Sequence, residues 1–176
     1  MVLRDVNPTE DTDFRRERLV RRHDQDLANG LGNLVNRVAG LLRRRSRTGA
    51  PACDATPDAP AWLPVDEVVA RIDRAVDRLD FRAATSALRE LVYVSNARIN
   101  LTRPWELAGD VSRTEDLDRI LCELLDACRI IGEQLRPFLP DASDRIAAIC
   151  AAVAAGRPDI GASPFLRLSE DARAGT

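Results

Sequence analysis

The sequence contains no lysine; all 26 basic residues are arginine. Every cationic contact therefore falls to a guanidinium, a planar fork that fits phosphates and base edges. Together with many Ala and Asp, this bias reflects a GC-rich genome more than a function. His23 is the only histidine, which excludes a histidine-rich metal site and leaves a single imidazole for any base chemistry. No run of 18 or more apolar residues occurs, so no transmembrane helix is expected. Met1 to Phe14 is acidic and polar and has no apolar signal-peptide core. These absences lead to the expectation of a cytoplasmic protein with no membrane partner. The four cysteines, Cys53, Cys122, Cys128 and Cys150, fit no zinc or redox spacing. The last three fall among apolar helical positions, where a reduced cysteine acts as a small hydrophobe. No metal site and no cofactor are expected.

What is present suits one soluble domain. A chain of 176 residues buries roughly 70% of its unfolded surface on folding. Apolar content is 45% and charged content 31%, both ordinary for a globular protein. Net charge is only −2, so total charge says nothing about nucleic acid. Its distribution says more. Phe14 to Arg47 holds ten arginines against Glu17, Asp24 and Asp26, whereas the chain on either side is net acidic. A basic element on an acidic body is a polyanion footprint or a solvated helix face.

Hydrophobic periodicity predicts an all-α, five-helix bundle. Residues 1–13 lack periodicity and read as an extended lead-in to a helical domain over 14–155. From Phe14 to Arg45, Leu19, Val20, Leu27, Leu31, Leu34, Val35, Val38, Leu41 and Leu42 recur at helical spacing. Gly30, Gly32 and Gly40 within this stretch suggest a close helix approach or a bend. Residues 48–64 are a proline-rich loop, with Trp62 placed to pin it to the bundle. A second helix is expected over Val65–Leu79 and a third from Asp80 to the residue before Pro104. Ser112-Arg113-Thr114-Glu115 has the pattern of a capping box opening a fourth. Pro140 suits the first turn of a fifth, reaching Ala155. Residues 156–176 form a tail expected to fold back through Pro164-Phe165-Leu166.

Several motifs in this order carry a resemblance. Asp26-Leu27-Ala28-Asn29 is followed by Leu31-Gly32-Asn33-Leu34-Val35 and Arg37. Arg103-Pro104-Trp105-Glu106-Leu107-Ala108, Leu135-Arg136-Pro137-Phe138-Leu139-Pro140 and Pro164-Phe165-Leu166-Arg167 come later. Jointly they resemble the C-terminal helical half of class I methionyl-tRNA synthetases, the anticodon-binding half. The lead-in, Leu3-Arg4-Asp5-Val6 and Asp11-Thr12-Asp13-Phe14, resembles the stretch joining that half to the catalytic half. The resemblance implies that Asn33, Arg37 and Trp105 read a CAU anticodon.

The chemistry is sensible from below. Residues at i and i+4 share a helix face. An amide offers a base both donor and acceptor. An indole is a platform worth ~1–3 kcal/mol per stacked base, and splayed loop bases are what RNA readers target. Arg43, Arg44, Arg45, Arg98 and Asn36 are further candidates for phosphate or loop contacts. Two departures from the family pattern are His23, where an aromatic is usual, and Arg98, where tyrosine is common. No His-Ile-Gly-His-like or Lys-Met-Ser-Lys-Ser-like signature is present, so no catalytic residue is expected. Three functions follow: a free-standing module for methionine tRNA, the non-catalytic half of a split synthetase with a separate catalytic or pathway protein, or a repurposed protein-interaction bundle. The first is favoured because all three reading residues are retained.

Overall fold

Apolar residues at intervals of three and four give each helix one inward stripe, and packing those stripes together builds the fold. The computed structural model describes residues 29–49, 51, 53, 58–157 and 165. Among them are five long helices: α1 (Asn33–Ser46), α2 (Val65–Asp77), α3 (Phe81–Thr102), α5 (Thr114–Leu135) and α6 (Pro140–Ala154). A one-turn helix, α4 (Pro104–Leu107), follows α3, and the described residues contain no strand. The five-helix reading is thus correct. The lead-in, His23 and the arginines before residue 29 lie outside the described residues.

Two helical hairpins, α2 with α3 and α5 with α6, make the main contacts, and α1 lies against α3, α5 and α6. The shared core includes Leu34, Val38 and Leu42 from α1, Leu91 and Ile99 from α3, Leu124 and Ile131 from α5, and Ile146 from α6. Phe165, from the tail, is also buried against it. None of the described helices is long and apolar enough to cross a membrane.

Among the local departures from the sequence reading, three change which groups are paired or packed. Ser112 and Glu115 do not form a capping box. Asp110, two residues upstream, accepts both the Ser112 N–H (2.9 Å) and its hydroxyl (2.6 Å), an Asx-type turn that competes with capping. The Ser112 hydroxyl, and then its N–H, hold the Asp110 carboxyl below the usual carboxylate range. A single 3₁₀ turn, Val111–Arg113, then leads into α5. Gly40 is not a close-approach glycine: a Cβ there would meet nothing within 4 Å. Gly132 is the tight one, where a Cβ would stand 2.9 Å from Ile146 Cγ2 across the α5–α6 seam.

The third departure concerns cysteine. Cys122 is not a free thiol but is joined by a disulfide to Cys53, across 69 positions, with Cα atoms 5.2 Å apart. Sequence spacing could not show this pair, because it forms only when the proline-rich loop lies along α5. Pro51, Pro60 and Leu63 are buried in that position, and the Trp62 indole N–H donates to Glu123 Oε2 at 2.9 Å. Cys128 and Cys150 are buried free thiols. Loss of hydration pushes Cys150 up to about 12 and Cys128 well above the usual thiol range.

Candidate functional site

The site begins with the register of α1. Leu34, Val35 and Val38 face the core, which leaves Asn33 and Asn36 exposed and Arg37 half-buried at the rim. Residues 29–32 form a wide, π-type turn before α1, a feature frequent at functional sites. Asn96 of α3 ties this turn down: its amide N–H₂ donates to Val92 O at 2.9 Å and reaches Gly30 O at 3.5 Å.

Trp105 is placed by the end of α3. Arg103 precedes a proline, and the pyrrolidine ring disfavours right-handed helix there. Arg103 instead takes the left-handed region, φ 43° and ψ 56°, which a non-glycine residue enters at a cost of about 1–2 kcal/mol. Its N–H still closes on Ile99 O at 3.0 Å, and Glu106 N–H returns to Arg103 O at 2.8 Å. Pro104 is buried as the first residue of α4. This corner brings the Trp105 indole, 44% exposed, back beside α1.

There it meets Arg37. The guanidinium carbon lies 5.7 Å from the Trp105 ring centroid, within cation–π range. Arg37 Nη2 donates to Asn100 Oδ1 at 3.1 Å. A guanidinium carries five N–H donors, so one bond to Asn100 leaves most of its capacity unused. Asn33 stands one turn before Arg37 on the same helix. Amide, guanidinium and indole thus share one surface, a set able to pair with and stack on an unstacked base.

Other expected residues go elsewhere. Arg98 Nη2 pairs with Glu123 Oε2 at 3.2 Å, and its guanidinium lies 5.5 Å from the Trp62 ring. Its Nε is buried without a partner. Arg45 makes a two-pronged bond to Asp118, at 2.7 and 2.8 Å, and also donates to Gly49 O. With its side chain 13% exposed, it braces α1 against α5. Arg43 and Arg44 remain exposed at the end of α1. Sequence reasoning missed Asn100 as a member of the site. Its bond spans 63 positions, and nothing local distinguishes it from any helical asparagine.

No protein-family model matches the chain. It is 33% identical over 148 residues to the methionine–tRNA ligase of Halalkalibacterium halodurans, covering 82% of this chain and 22% of that protein. It is 31% identical over 148 residues to that of Bacillus subtilis, with the same coverage. The chain therefore spans about a fifth to a quarter of the length of such relatives. Mycobacterium tuberculosis methionyl-tRNA synthetase bearing methionyl-adenylate superposes with a TM-score of 0.70 at 25% identity, over 83% of this chain and 30% of that one. Its apo form superposes with a TM-score of 0.72 at 23% identity, over 94% and 37%. The chain resembles the C-terminal half of these synthetases in both sequence and fold.

Proposed function

We propose, from this likeness, that the chain is an RNA-binding module that recognises the CAU anticodon of methionine tRNA, and that it does so without an aminoacylation site of its own. The observation that carries the reading is Arg37 packed over Trp105 and fastened to Asn100, one turn from Asn33. In this reading the Asn33 amide pairs with the edge of one base. Arg37 binds the edge or face of its neighbour, and Trp105 supports a stacked base. Arg43 and Arg44 meet the phosphates beside the loop, and the protein works in the cytoplasm, where tRNA is used.

The test is fluorescence anisotropy of a labelled CAU stem-loop against one altered at the first anticodon base. Affinity falls when the base is changed, and it falls with salt because neutralised phosphates release counterions. Trp105→Ala weakens CAU binding by ~1–3 kcal/mol with an unchanged far-UV spectrum. Equal affinity for both loops removes anticodon reading. A folded Trp105→Ala variant with full affinity removes Trp105 from the site.

A further inference from the structure

Tyr93 is the only tyrosine in the chain, and it is 76% exposed. The buried stripe of α3 runs through Ala84, Leu88, Leu91, Val92, Ser95 and Ile99. Tyr93 lies off that stripe, and among the described residues no hydrogen bond or ring contact engages it. The core among the described residues leaves this ring at the surface, although aromatic rings more often go to core burial.

Its placement is specific. Tyr93 precedes Asn100 by seven residues of the same helix. That separation is nearly two turns, so the two residues share a face within about 20° and stand about 10 Å apart along the axis. Asn100 is the residue bonded to Arg37. Gly30 meets Asn96 and Arg37 meets Asn100, so α1 and α3 run in the same sense where they touch. Asn33, one turn before Arg37, therefore lies toward the Tyr93 side. The order along this surface is Tyr93, Asn33, Arg37 with Asn100, then Trp105. Ala97, exposed and small, is the α3 residue one turn on from Tyr93, so no bulky side chain of α3 divides the row there.

We propose that Tyr93 is a second stacking platform, which takes an unpaired nucleotide flanking the anticodon in the same RNA loop. This rests on the anticodon-reading proposal and extends it by one subsite. The separation of about 10 Å exceeds the ~3.4 Å rise of a stacked nucleotide, so Tyr93 addresses a different nucleotide from the one beside Arg37. The row then has an aromatic ring at each end and hydrogen-bonding groups between them. Stacking needs only a π-face, so this subsite adds affinity with little base preference.

The experiment measures the affinity of the unaltered protein, Tyr93→Ala, Tyr93→Phe and Trp105→Ala for a CAU stem-loop. The same four proteins are measured on loops carrying an abasic nucleotide at either flank of the anticodon. Tyr93→Ala weakens the intact loop by roughly five- to a hundredfold, and Tyr93→Phe stays within about twofold because the ring face is kept. On one of the two abasic loops the unaltered protein and Tyr93→Ala bind alike, since the pair is no longer there to lose. Full affinity of Tyr93→Ala overturns the subsite, as does an equal loss on both abasic loops. If Trp105→Ala weakens CAU binding while Tyr93→Ala does not, anticodon reading stands and this extension alone fails. If the unaltered protein does not distinguish CAU from an altered anticodon, both fail. Circular dichroism of each variant separates these outcomes from misfolding.

Discussion

Arg37 lies 5.7 Å from the centre of the Trp105 ring, and Arg98 lies 5.5 Å from the centre of Trp62. The two pairs are nearly alike in spacing and differ in what stands behind them. Arg98 is met by the Glu123 carboxylate, which also accepts the Trp62 indole N–H and a long bond from Arg119. Arg98 and Glu123 are each 25% exposed. That pair is closed: its charge is matched, and it joins the proline-rich loop to α3 and α5. Arg37 is met by the neutral amide of Asn100, in an exposed setting. Its positive charge has no carboxylate against it among the described residues, and an incoming base or phosphate can meet it. An arginine over an indole is therefore a charge-matched strut or an unmatched surface pair according to the charge of its anchor.

Breaking the closed side should cost stability and leave RNA binding intact. The largest effect is expected from Cys53→Ser, which opens the link across 69 positions. Chain-entropy arguments put the loss at about 4 kcal/mol, read as a shift in the urea midpoint followed by circular dichroism. A loss below about 1 kcal/mol would mean that the loop is held without its disulfide. Trp62→Ala comes next, at about 2–3 kcal/mol, somewhat below the range for a fully buried tryptophan because Trp62 is half-buried. Its affinity for the CAU stem-loop should match that of the unaltered protein, and a parallel loss of binding would show that the two pairs are coupled.

Breaking the open side should do the reverse. Asn100→Ala removes one hydrogen bond from Arg37, worth about 0.5–1.5 kcal/mol, and should weaken stem-loop binding by that amount without moving the urea midpoint. A drop in stability would make Asn100 a strut like Glu123. The smallest effect is expected from Gly40→Ala, on α1 between Arg37 and the Arg45 brace. A Cβ there meets nothing within 4 Å, so the substitution should stabilise by up to about 1 kcal/mol through helix propensity alone. Destabilisation, measured the same way, would show that α1 needs the bend that glycine permits.

Much of the fold was legible because helix signals are local. The stripe Leu34, Val35, Val38 and Leu42 placed α1, and Pro104 and Pro140 marked where helices stop and start. The expected end of the second helix at Leu79 was two residues late. Leu79 takes a positive φ of 56°, and its side chain, 69% exposed, does not belong to the core stripe it extends in sequence. The capping box failed where two local patterns competed, and Asp110 captured Ser112 before Glu115 could matter. For the candidate site, the sequence named Asn33, Arg37 and Trp105 but carried nothing of the contacts around them. Asn33 and Arg37 share a face by helix periodicity, whereas Asn100 and Tyr93 gain meaning only from the neighbour that packing brings beside them. Arg45 and Arg98 looked like surface cations, yet Asp118 and Glu123 draw them inward.

By itself, the sequence determined the five long helices among the described residues, the proline-rich loop between two of them, and the motifs that resemble a tRNA reader. Those properties depend on residues within a turn or two of one another, where periodicity and proline geometry act directly. Tertiary structure alone decided which tryptophan is tied to a carboxylate and which stands exposed, which arginines a carboxylate matches, and that Cys53 reaches Cys122. Each of these depends on groups more than 20 positions apart. Their separation in space is set by how the apolar stripes pack, and the local sequence around any one of them carries no trace of its partner.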